Sequence, residues 1–226
     1  MAIWTPDEIV VSADSRGSER DGNVVTDELC KIIPFAGGYI TIAGCREEDE
    51  AGYNFSTILE HEVNLNMSLS DNLYFLEKAT TPLITAAANL VKNQDKEAFI
   101  KNWVEKSPLS FCIFGLEDGD LTFLYCEYKV LDADADTIYL SVRRENLSQL
   151  GYNGPIGMFV GEPKHRTEYR TKLKANSYPT TLADFSRDFV QANIDDGDGS
   201  VGGAIDTIRI TYAGVEWIQK KDNCKS

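Results

Sequence analysis

The order of segments in the sequence predicts an α+β fold built in layers, and three observations carry that expectation. Runs rich in β-branched and aromatic residues, bounded by glycine and acidic turns, recur at the start, the middle and the end of the chain, and read as strands. Between them lie two blocks with apolar residues at helical spacing. At 226 residues and 42% hydrophobic content, the chain has the size and apolar fraction of one domain with its own core.

Taken in order, Glu8-Ile-Val-Val-Ser-Ala reads as a buried strand ending in Asp14-Ser15-Arg16. A polar, glycine-bearing loop follows. Lys31-Ile-Ile and Tyr39-Ile-Thr-Ile flank Pro34-Phe-Ala-Gly-Gly and predict an antiparallel hairpin. Phe55, Ile58, Leu59 and Val63 have helical spacing, and Asp71 to Leu76 reads as a second helix. Thr81 is read as the cap of a third, with Pro82 at its first position and Leu83 to Lys92 behind it. Glu97 to Lys106 adds a short helix. Leu109 to Gly115 and Leu121 to Cys126 form a hairpin across Glu117-Asp-Gly-Asp, and Tyr128–Leu131, Thr137–Val142 and Ile156–Val160 supply further strands. His165 to Lys174 reads as a surface-facing helix. Thr181 caps another, whose buried stripe is Leu182, Phe185, Phe189, Val190 and Ile194. Ile205 to Ile218 closes the chain as a hairpin turning at Ala213-Gly214.

A net charge of −14 argues against nucleic acid or an anionic membrane as a general partner. No stretch is apolar enough for a membrane-spanning helix and no signal peptide opens the chain, so a cytoplasmic location is the default expectation; a secreted one follows if upstream sequence carries a signal. The five cysteines lack Cys-x-x-Cys spacing, which argues against zinc. As the hairpins are registered here, Cys30 faces Cys45 and Cys112 faces Cys126, so cross-strand disulfides and buried free thiols are both open readings. The acidic runs Asp132–Asp136 and Asp195–Asp198 lack the sixth-position glycine and twelfth-position acid of a calcium loop and read as exposed turns. His61 and His165 have no partners in sequence that would build a triad. Neither a metal nor a cofactor is expected.

Three pieces remain: Ala13-Asp14-Ser15-Arg16 at a strand end, Lys31-Ile32 opening a hairpin, and Ala43-Gly44 closing it. In this order and approximate spacing they resemble the proteasome-type N-terminal-nucleophile hydrolases. The resemblance extends to Phe185–Gly203, a last core helix running into an Asp-x-x-Ser-Gly-Gly turn. Here that turn reads Asp198-Gly-Ser-Val201-Gly202-Gly203, with Val201 in the place of the family's serine. The resemblance implies a four-layer αββα sandwich, with residues 1–226 as a single domain whose first strand is mostly missing. It implies hydrolysis of peptide or small amide substrates by a Thr, Ser or Cys at the mature N-terminus, which in this chain must lie upstream of Met1.

Asp14, Lys31, Gly44 and Asp198 take the family's catalytic positions, with Arg16 structural beside them. The helical faces between Asn54 and Lys92 are the expected surface for a homo-oligomer. In such a site the nucleophile's own α-amine serves as base, the lysine stabilises the ionised nucleophile, the aspartate holds the lysine, and a glycine N–H is an oxyanion donor. The alternative is an inactive homologue that acts as an assembly or binding protein, with Asp14 and Lys31 as a structural ion pair.

Overall fold

A computed structural model describes the chain except for residues 19–23, 63, 65, 106, 150–153, 160–163, 179, 198–200, 223, 225 and 226. In chain order its main elements are β1 (Ala2–Trp4), β2 (Glu8–Ala13), β3 (Ile32–Phe35), β4 (Gly38–Gly44), α1 (Phe55–Glu62), α2 (Leu69–Gln94) and α3 (Lys96–Phe99). They continue with β5 (Leu109–Glu117), β6 (Asp120–Val130), β7 (Leu140–Asn146), β8 (Ile156–Met158), α4 (Arg166–Lys174), α5 (Leu182–Asp195), β9 (Asp206–Thr211) and β10 (Gly214–Gln219). The fold is mixed α and β, and among the described residues no helix is long and apolar enough to cross a membrane.

The strands form two five-stranded antiparallel sheets, ordered β8-β1-β2-β9-β10 and β7-β6-β5-β4-β3. β2 is apolar without alternation because both its faces are covered: Ile9, Val11 and Ala13 point toward the second sheet and Val10 toward α5. Between the sheets, Ala2, Trp4, Ile208 and Ile210 meet Ile32, Cys112, Phe114 and Phe123. The outer face of the second sheet packs Ile40, Ile42, Phe111 and Ile113 under Phe55, Leu76, Ile84 and Val91. The outer face of the first packs Ile3 and Val10 under Tyr169, Leu173, Phe185 and Phe189.

Several expectations need correction. Ala2–Trp4, not among the expected strands, is a strand of three residues with a partner on each side, β2 and β8. Asp71–Leu76 and Leu83–Lys92 belong to one helix of 26 residues with Pro82 inside it. Thr81 is not a cap: its hydroxyl donates to the Glu77 carbonyl at 2.7 Å. The helix starts at Ser68, whose Oγ accepts from Asp71 N–H. α4 is not wholly surface-facing, since Tyr169 and Leu173 are buried.

Neither expected cysteine pair is in register: the β3–β4 register, continued, sets Cys30 two residues from Cys45, and Cys112 misses Cys126 by one. Cys112 lies opposite Tyr125 and Cys126 opposite Phe111, so the two thiols point to opposite faces of the sheet. Neither is in a disulfide, nor is Cys45, whereas Cys30 is bonded to Cys224 across 194 residues of sequence.

Candidate functional site

The site forms where strand ends from the two sheets gather. β1 begins, β2 ends, β3 begins, β4 ends and β9 begins at the same end of the molecule, because every one of these neighbours is antiparallel. Asp14 follows the last residue of β2, and Lys31 precedes the first residue of β3 in the other sheet. Lys31 Nζ donates to both Asp14 carboxylate oxygens, at 2.8 and 2.9 Å, and this ion pair joins the two sheets. Their side chains are only 18% and 13% exposed. Two backbone groups hold the carboxylate as well: Asp14 Oδ2 accepts from Arg16 N–H at 3.1 Å and Gly202 N–H at 3.2 Å. A charge with this many partners keeps its place.

The turn after Asp14 is fastened in turn. Ser15 N–H donates to the Gly202 carbonyl, its hydroxyl donates to the Asp27 carbonyl, and its own carbonyl accepts from Leu29 N–H. Arg16 takes Asp27 through Nε and Nη2, at 2.7 and 3.0 Å, and that hydrogen bonding holds the Asp27 carboxyl below its ordinary pKa. Arg16 thus ties the turn after β2 to Asp27. Gly202 and Gly203 are glycines for a steric reason: a Cβ at Gly202 would enter the Arg16 guanidinium, and one at Gly203, where φ is +73°, would strike Ser15 Oγ.

At the same end, the Met1 α-amino group is buried and donates to the Ser12 carbonyl at 2.7 Å, while Ser12 N–H donates back to Met1 O at 2.8 Å. Met1 and Ser12 thus form a directly opposed ladder pair. Burial lowers the pKa of this amine to about 6, with Cys112, Asp14 and Lys31 as the neighbouring groups that modulate it. An amine of that pKa is mostly neutral at pH 7 and can accept a proton. Cys112, buried between the sheets, has its thiol pushed up to about 12 and is chemically quiet.

Gly44 ends β4 at this end of the second sheet, with φ +102°. Packing alone accounts for a glycine here, since a Cβ would run into the Pro108 carbonyl. Asp198 lies outside the described residues. Asp14, Arg16 and Lys31 are therefore brought together, with Gly44 at the same sheet end. Thr5 sits at the opposite end of the β1–β2 hairpin, where its hydroxyl accepts Asp7 and Glu8 N–H. His165 is a surface residue beside Glu168 and Asp196.

The sequence reading missed four neighbouring residues: the buried hydroxyl pair Ser12–Thr207 at 3.0 Å, and Asp206 and Lys221. Only strand pairing across the whole chain brings them here, so no local signal marks them. Comparison adds no relative. No protein-family model matches the chain, and no curated protein does.

Proposed function

We propose that this chain is a proteasome-like N-terminal-nucleophile hydrolase, a four-layer αββα sandwich that hydrolyses peptide or small amide bonds when the native chain carries a Thr, Ser or Cys just upstream of Met1. The observation that carries this reading is the Lys31–Asp14 pair, held by two backbone N–H groups at the end where β1 begins. Three apolar clusters, one between the sheets and one on each outer face, support the layer order. Extending the β1–β2 register by one residue sets the position before Met1 opposite Ala13, on the side facing the second sheet.

In this reading the nucleophile's oxygen or sulfur attacks the amide carbon while its α-amine takes the released proton. The Lys31 charge favours the ionised nucleophile, Asp14 orients Lys31, and Gly44 N–H meets the developing oxyanion. The amine's proton passes to the departing nitrogen, and water then cleaves the acyl-enzyme. Asp198 is assigned to the network around the nucleophile. Tyr74 and Phe75, exposed on α2, support assembly through the helical face. The Cys30–Cys224 disulfide supports the secreted location over the cytoplasmic one.

The test is terminal sequencing and intact mass of the protein from its source, together with turnover of a panel of amide substrates. A Thr, Ser or Cys exposed a few residues before Met1, with turnover, is the expected result. A native terminus without such a residue, and no turnover, overturns the enzyme reading in favour of a binding or assembly protein.

A further inference from the structure

Lys31 belongs to no strand or helix. It ends an irregular segment, residues 27–31, that runs into β3. Asp27 and Lys31 at its ends are held by Arg16, Ser15 and Asp14, and among the described residues three bonds hold Leu29 and Cys30 between them: Leu29 N–H donates to Ser15 O at 2.9 Å, Lys221 Nζ donates to Leu29 O at 2.6 Å, and Cys30 is joined to Cys224. Two of the three come from the tail that follows β10. The tail is anchored on Asp206, which is 1% exposed. The Asp206 carboxylate accepts Lys221 N–H at 2.8 Å, lies 3.4 Å from Lys221 Nζ, and has Cys224 Sγ 3.7 Å away. Asp206 itself pairs with Ala13, the residue before Asp14. Both members of the ion pair are thus one residue from the same clasp: Lys31 beside Cys30, and Asp14 beside the strand partner of Asp206.

We propose that the Cys30–Cys224 disulfide and the Lys221–Asp206 contact form a redox-responsive clasp that positions Lys31 against Asp14, so that thiol–disulfide exchange controls the site. Its effect on turnover rests on the proposed hydrolase reading; its effect on the Lys31 segment does not. Cys30 is only half-buried whereas Cys224 is buried, so Cys30 is the side of the disulfide a small dithiol would attack. A dithiol thiolate attacks Cys30 Sγ, the Cys30–Cys224 bond breaks, and Cys224 leaves as a thiolate that takes a proton. The dithiol's second sulfur then displaces Cys30 as a thiol and closes a cyclic disulfide, so two electrons and two protons move from reagent to protein. The tail keeps its Lys221 contacts, and residues 28–33 lose their covalent tie.

The experiment uses the natively processed, folded protein, oxidised and then reduced in place with dithiothreitol. Alkylation and mass confirm the thiol count, amide hydrogen exchange is read by segment, and amide turnover is followed alongside. The clasp predicts exchange at residues 28–33 faster by about tenfold or more on reduction, little change in Leu109–Glu117, and turnover that falls and returns on reoxidation. Lys221→Gln, which keeps the disulfide, should give a smaller change in the same segment. Unchanged exchange at 28–33 on reduction overturns the clasp, as does faster exchange with undiminished turnover. Faster exchange without turnover in either state upholds the clasp's hold on Lys31 and counts against the hydrolase reading alone.

Discussion

The packing beneath α2 and the strand ends around Asp14 are built on opposite principles. Under α2 the contacts are apolar and redundant: Phe55, Leu76, Ile84, Val91, Phe111 and Ile113 share one cluster, and each has neighbours that would survive its loss. Around Asp14 the contacts are polar and directional. One ion pair, one arginine fork, two glycines and one disulfide hold segments that have little regular structure. The first region stores stability, whereas the second spends backbone and side-chain order on keeping a cation and a carboxylate in fixed places. A fold with its free energy in one region can tolerate precise, weakly redundant geometry in the other.

That contrast can be broken most strongly from the apolar side. Phe111→Ala should cost about 3–5 kcal/mol in urea unfolding, through lost burial and the cavity left behind. The exchange of residues 27–31 should follow only the global loss. Gly203→Ala tests the other region: the alanine must adopt positive φ and displace Ser15 Oγ, for a cost of about 1–3 kcal/mol. Its signature is local, with the Ser15–Asp27 and Ser15–Gly202 bonds loosened first in hydrogen exchange.

A pH measurement sharpens the same comparison. In a chain produced with Met1 as its first residue, the amine titrates near 8.0 unfolded and about 6 folded. Between those values the unfolded state binds more protons, so stability is full above pH 8, falls as pH drops toward 6, and has lost about 2–3 kcal/mol below it. Adding residues upstream turns the amine into an amide, and the difference in unfolding free energy between the two chains isolates this slope. The smallest effect is chemical. With the disulfide intact, iodoacetamide should modify half-exposed Cys45 in the native protein and leave Cys112 and Cys126 untouched until unfolding, since burial raises both thiol pKa values.

The two regions also differ in how far the sequence reveals them. The hairpin of β5 and β6 was legible because its turn is local: Asp118 and Gly119 both take positive φ, as an Asp-Gly hairpin requires. Thr181 capping α5 was legible for the same reason. α2 was misread at Pro82, where a proline that starts many helices sits inside one; the stripe Leu73, Leu76, Ile84, Ala87, Ala88 and Val91 runs through it and outweighs the lost N–H. The Cys112–Cys126 pairing failed because a shift of one residue inverts every side chain of a strand. Around the site, Asp14 and Lys31 could be named from their motifs. Gly202 lay in a recognisable turn, but the rest of their fastening could not be read, because Asp206, Lys221 and Cys224 are almost two hundred residues away and carry no local signature.

The central claim is that Lys31 and Asp14 serve a nucleophile rather than only each other. The direct measurement is acylation of the natively processed protein by a β-lactone, mapped by peptide mass, for the wild type and for Lys31→Met. Asp14 keeps its backbone partners in that variant, so the fold should persist and thermal unfolding will verify it. The account predicts a stoichiometric adduct on a Thr, Ser or Cys preceding Met1, formed at least about 100-fold more slowly in Lys31→Met. Equal rates in the two proteins, or no adduct on a folded wild type, would contradict it.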